Sequence, residues 1–356
     1  FSTLTIPDGT SCSDLVNLGT LTAGVAAAFS MASGIYNGDF LQITDITASG
    51  GATFSATNSY GIGDVTGWNI TSPAADDFYW VGGTGNWSDS THWSLTSGGT
   101  PGTCIPNILD NVFFDDSSFT AGGQIVTIDV EASCNNMNWT GALFNPELAG
   151  FSPININASL TFIPSMNYSY NGNIAFTSGN AGNTIDFAGK PLSGQISFNG
   201  SGDWDLQSDV SAGTSVQIQY NNGTLNTNDN NFVLGFGGFF SNSSAARTLN
   251  LGNSTISANN WDIADPTGLT LNAGSSTVSI TNFGSQFRGG NLNYNVVNLG
   301  TMGAMQVYNS NTFDSLNFTP GTMVMFQDSE MQTINILSAT GALGNNTVFN
   351  SMTTGS

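Results

Sequence analysis

Apolar and polar residues alternate along this chain in short runs, each closed by Gly, Asn, Asp or Ser. Thr184-Ile-Asp-Phe187, Gln195-Ile-Ser-Phe198, Val216-Gln-Ile-Gln-Tyr220 and Thr333-Ile-Asn-Ile336 are four of them. A period of two puts successive side chains on opposite faces, so each run predicts a strand with one buried face and one wet face. Helical periodicity is missing. Leu21 to Met31 is alanine-rich, but Gly24 and Gly34 interrupt and flank it, and no capping pair opens it. The expectation is an all-β chain.

Two strand units are near-copies. Leu249-Asn-Leu-Gly-Asn-Ser-Thr-Ile256 is echoed by Leu269-Thr-Leu-Asn-Ala-Gly-Ser-Ser-Thr-Val278, at an offset of 20 to 22 residues. One rung of a solenoid is of that length, roughly 20 to 29 residues. Stacked rungs bury their apolar side on one another, and Asn or Ser can ladder along the stack. A tandem array of β-sandwiches would also alternate, but it would not demand so short an echo. The pattern therefore favours a parallel β-helix, or β-solenoid, over that alternative.

A longer repeat sets the domain plan. Phe1-x-x-Leu4-x4-Gly9-Thr10 returns as Phe313-x-x-Leu316-x4-Gly321-Thr322, 312 residues on. The expected organisation is an array. Residues 1–70 would be the C-terminal end of one large unit and residues 71–77 a linker. A Trp-rich opening or cap segment follows at 78–150, and 151–356 is the solenoid body of that next unit, cut short.

Composition narrows the setting. Hydrophobic residues make up 39% of the 356, enough for a substantial core. Only 8% are charged, and Lys190, Arg247 and Arg288 are the sole Lys or Arg against 24 acids, a formal net charge of −21. That balance repels nucleic acid and offers no basic face to anionic lipid. No run of eighteen apolar residues suggests a membrane span. Such charge-poor chains are typical of extracellular stalks and virion fibres. The cysteine count is odd: Cys104 and Cys134 flank one compact segment and are expected to pair in an oxidising setting, leaving Cys12 over.

One segment resembles a known family. Trp80-Val-Gly-Gly-Thr-Gly-Asn-Trp87-Ser-Asp with His92-Trp93-Ser94 is similar to a motif of very large, repetitive surface proteins of Bacteroidetes. Pro106-x3-Asp110-Asn-Val-Phe-Phe-Asp115, Cys134-Asn-Asn-Met-Asn-Trp139 and Ala48-Ser-Gly-Gly-Ala-Thr-Phe54 with Gly67-Trp68 extend the resemblance. It implies adhesins or filaments exported by type 9 secretion for attachment or gliding, at the cell surface. Similar segments occur in phage virion proteins, so a virion appendage is the other setting. The motif carries no catalytic residues.

Candidate chemistry is sparse. Tyr79, Trp80, Trp87 and Trp93 could stack on sugar rings, but a hydrophobic cap over the first rung is the preferred reading. Asp110, Asp115 and Asp116, with Asp129 near, are candidate calcium ligands, although no EF-hand spacing is present. Asp203 and Asp205 share a strand face at a spacing a glycosidase pair could use, yet Asp-Trp-Asp with Trp204 inside is the simpler arrangement. His92, the only histidine, has no Gly-x-Ser-x-Gly partner. The sequence thus predicts a non-enzymatic structural or adhesive segment without a cofactor, structural calcium aside. Its partners would be neighbouring units of the same chain and surface glycans. A tailspike or a β-helical glycan-cleaving enzyme is the alternative.

Overall fold

A computed structural model describes residues 4–9, 15–21, 25–280, 284–300 and 304–353. These form a parallel β-solenoid of about 15 turns. No α-helix occurs among them; one 3-10 turn, Ser90–His92, is the only helical element. The alanine-rich stretch ends in the strand Ala27–Met31.

Every strand pair among the described residues is parallel but one, Asp77–Trp80 with Trp93–Ser94. Parallel stacking of one coil on the next rules out the sandwich array, whose neighbours would be antiparallel. The echo lies in register at 22 residues: Leu249 stacks on Leu271 and Ile256 on Val278. Partners are 19 residues apart at Tyr294 and Phe313, and 34 apart at Phe78 and Val112. The long step accommodates the Trp-rich excursion between Trp80 and Trp93.

Two cores are separate. Met31, Tyr36, Leu41, Ile43, Ile46, Phe54, Ala56 and Trp68 form one. The other runs from Phe78 to Val324 through all later coils. Coil stacking in the second begins with Phe78 on Val112, well before residue 151. The first member of the long repeat lies partly outside the described residues; Phe313 and Leu316 of the second are fully buried, in the strand Thr312–Phe318.

Inside, identical positions of successive coils bring aromatic rings together. Phe114 and Trp139 stack with centroids 3.8 Å apart, Phe239 and Trp261 at 4.7 Å, and Phe176 and Phe198 at 5.4 Å. Such offset stacks add to the burial of the rings themselves. Outside, the same register makes an amide ladder: Asn226 Nδ2 donates to Asp205 Oδ1 at 2.6 Å, Asn250 Nδ2 to Asn226 Oδ1, and Asn272 Nδ2 to Asn250 Oδ1 at 2.6 Å. Each amide uses one end upward and the other downward, so the ladder reinforces the register that the buried apolar columns set.

Candidate functional site

The residues that chemistry singles out in the sequence are mostly structural. Trp80, Trp87 and Trp93 are wholly buried. The Trp93 ring meets Trp80 and Trp87 edge-on at 5.0 and 4.8 Å, and its indole N–H donates to Trp87 O at 2.9 Å. Trp80 donates to Gly83 O at 2.7 Å. Rings so enclosed present no face to a sugar; they seal the first coil. Tyr79, half-buried, stacks on Phe113 at 5.1 Å. His92 lies flat on Trp80 at 4.7 Å, with Nδ1 2.8 Å from Val81 O, so packing accounts for it.

The expected Cys104–Cys134 bridge is not formed. Cys134 is a free, fully buried thiol whose pKa is pushed up by burial, then by the Asp110 charge. It points into the coil interior from the strand Ala132–Cys134, stacked against Ile156 of the next coil. Cys104 is disulfide-bonded, to a partner other than Cys134. The chain's remaining cysteine, Cys12, lies outside the described residues.

The candidate calcium ligands make local turn contacts. Asp110 accepts from the backbone of Asp76 at 3.0 Å, the backbone of Asn107 at 2.9 Å and the Asn107 side chain, and burial raises its pKa. Asp115 accepts from Ser117 N and Ser118 Oγ, Asp116 from Ser117 Oγ, and Asp129 from Ser88. Among the described residues no three His, Cys, Asp or Glu side chains gather as a metal site. Asp203 and Asp205 flank a fully buried Trp204 on the wet face, as the alternation predicts, and Asp205 belongs to the amide ladder.

The three cations are also committed. Lys190 Nζ donates to Pro164 O and Met166 O at 2.6 and 2.7 Å. Buried Arg247 donates to Ser241 Oγ and to the carbonyls of Ala245, Thr267 and Asp265. Arg288 pairs with Asp262 at 3.2 Å and lies 4.9 Å above the Tyr308 ring.

What the fold adds is a surface. In the strands Asn173–Phe176, Pro191–Phe198 and Val210–Tyr220, the outward residues Asn173, Gln195 and Gln217 are register partners on three successive coils. They line a shallow groove of about 550 Å³ together with Phe151, Pro153 and Ser215. Phe151 is 78% exposed. Phe236, 69% exposed, follows Gly235, which bridges groove-lining Ser215, and its N–H donates to Thr214 O at 3.1 Å. The groove's floor is tight at the corner: a Cβ on Gly194, at φ +81°, would stand 2.4 Å from Gly172 O.

Hydrogen bonding orients the amides. Gln195 Nε2 donates to Ser197 Oγ at 2.8 Å, and Ser197 Oγ donates to Asn173 Oδ1 at 2.9 Å. That relay leaves Asn173 Nδ2 as a donor and Gln195 Oε1 as an acceptor, beside the exposed amide of Gln217. The strands that hold these amides are legible in the sequence, since the alternation names Gln195 and Gln217 as outward. Their stacking into one groove is not, because it depends on coil length and bulges. A register shift between Leu192 and Gly194 is one such bulge.

No protein-family model, curated protein or solved structure matches the chain. A second recess, about 370 Å³, lies among Tyr60, Pro73, Phe78, Cys104, Ile105 and Asp110. Burial, and then the Asp110 charge, push the Tyr60 hydroxyl up to about 12.

Proposed function

We propose that the chain is a non-catalytic structural and adhesive segment of a secreted fibre, one that spaces and presents a binding surface. The observation that carries this is the allocation of polar groups. Lys190 and Arg247 cap turns, Arg288 is ion-paired, and the groups candidate chemistry would use are locked in turns, ladders or the Trp cap. The acid–base pairs that glycan cleavage or proton abstraction need call for titratable groups facing one cleft. The amide groove instead offers uncharged donors and acceptors, suited to holding rather than cutting.

Stacked coils with continuous hydrogen-bonded sheets give a stiff rod whose length grows by roughly 4.8 Å per coil. In this reading the rod stands at a cell surface, and units of the same kind in the same chain are its neighbours. The likeness of residues 48–140 to Bacteroidetes surface proteins supports attachment or gliding.

The test is an activity screen with an imaging control. Purified chain incubated with host and environmental polysaccharides is expected to release no reducing ends, while negative-stain images show single rods. Release of reducing sugar that Asp203→Asn or Asp205→Asn abolishes would overturn the reading in favour of a tailspike-like enzyme.

A further inference from the structure

We propose that the groove over Asn173, Gln195 and Gln217 binds a neutral glycan chain laid along the solenoid axis, with a sugar ring seated against Phe151. This deepens the adhesive reading and rests on it.

Three features converge. First, the groove-lining residues carry no charge, and the protein as a whole is strongly acidic, so an acidic polymer would be repelled and gain no counter-charge. Second, the oriented relay alternates a donor at Asn173, an acceptor at Gln195 and both at Gln217, one per coil. Sugar hydroxyls each donate and accept, so a chain running parallel to the axis can satisfy the amides in turn. Coils repeat about every 4.8 Å, which puts one amide under each short step of such a chain. Third, Phe151 stands almost free of the protein at the groove wall, and Phe236 stands beyond Ser215. An exposed aromatic face beside planar polar groups suits the C–H face of a pyranose, and covering it removes apolar area from water.

The experiment uses the whole chain and hexasaccharides of glucose, galactose, mannose and N-acetylglucosamine, with an oligo-uronate as the acidic probe. Binding is measured by calorimetry. At least one neutral probe is expected to bind, and the oligo-uronate is not. Phe151→Ala and Gln217→Ala are each expected to weaken that binding roughly three- to tenfold, as losses of single central contacts do. Both side chains are exposed, so the fold is retained, and circular dichroism checks this. Phe349→Ala, far along the rod, should leave affinity unchanged. The proposal is overturned if no neutral probe binds, if the acidic probe binds better, or if Phe151→Ala and Gln217→Ala bind as the parent does. None of those results touches the rod reading, which fails only on enzymatic release of sugar or on the absence of rods.

Discussion

The Trp-rich segment that opens the long core and the strands beyond residue 330 bury their apolar residues to different degrees. In the first, the chain leaves the coil path between Trp80 and Trp93, returns antiparallel, and folds three indoles into a seal with no exposed ring. Farther along, the strands Thr333–Ala339 and Val348–Ser351 continue the register of Thr312–Phe318 and Met323–Phe326. There, however, Ile336 and Leu337 are 58% and 56% exposed and Phe349 is 46% exposed. A coil in the middle buries its apolar side because it has neighbours above and below. In the strands Thr333–Ala339 and Val348–Ser351 the same alternation leaves apolar residues exposed. Burial in a solenoid is thus a property of the stack rather than of the strand. A start built from Trp is a device for ending that dependence.

The largest effect should come from breaking the seal. Trp93→Ala removes a fully buried ring packed on Trp80, Trp87, Phe78 and Phe114, and is expected to cost about 3–5 kcal/mol in denaturant titration. Amide exchange should rise first in residues 77–114. A Trp93→Ala chain as stable as the parent would show that the cap is not what closes this end.

A middle coil is expected to respond less. Asn250→Ala cuts the amide ladder at both of its bonds while leaving the buried columns intact, at a cost of about 1 kcal/mol. The strand Val348–Ser351 should respond least. Phe349→Ser removes a half-exposed ring resting on Phe318 and Phe326, and a change below about 1 kcal/mol is expected from the same titration. If Phe349→Ser cost as much as Trp93→Ala, the contrast between the sealed and the exposed rings would fail.

Acidity sharpens the comparison of inside with outside. Asp110 and Asp262 are both raised, burial being the larger cause in each. A carboxyl with a raised folded pKa binds its proton more tightly folded than unfolded. Its contribution therefore grows as pH falls through the window just above 3.8, and is lost as pH rises through the folded value. Relief of a −21 charge has the same sign. Asp64, Asp89 and Asp265, lowered mainly by side-chain hydrogen bonds from Thr66, Thr91 and Thr267, act oppositely and only at lower pH. Calorimetric Tm is expected to rise as pH falls toward about 4, and a fall on that approach would contradict the assignment.

Much of the fold is legible in the residues. The alternation of Gln195-Ile-Ser-Phe198 and its kin names inward and outward positions, and the echo of Leu249–Ile256 in Leu269–Val278 brackets the 22-residue coil that pairs Leu249 with Leu271. Trp204 inside with Asp203 and Asp205 outside follows from the same period. The site is much less legible. Pairing Cys104 with Cys134 on proximity in sequence fails because Cys134 falls on an inward position of its strand, where a thiol serves as a small apolar residue. Asp110, Asp115 and Asp116 cluster in sequence but turn outward and inward separately, each held by its own local amides and hydroxyls. The groove escapes sequence reading altogether, since Asn173, Gln195 and Gln217 are each unremarkable wet-face residues until three coils bring them together.

The coil register is the claim on which the cap, the ladder and the groove all depend. Gln195, Asn260, Gln286 and Gln306 occupy one outward column, with Asn260, Gln286 and Gln306 three, four and five coils from Gln195. Pulsed electron–electron resonance between a nitroxide at Gln195 and a second at each of the others measures that column directly. Backbone separations of about 14, 19 and 24 Å are expected, a constant step of about 4.8 Å per coil. Distances that fail to lengthen by that step from one pair to the next would contradict the stacked solenoid.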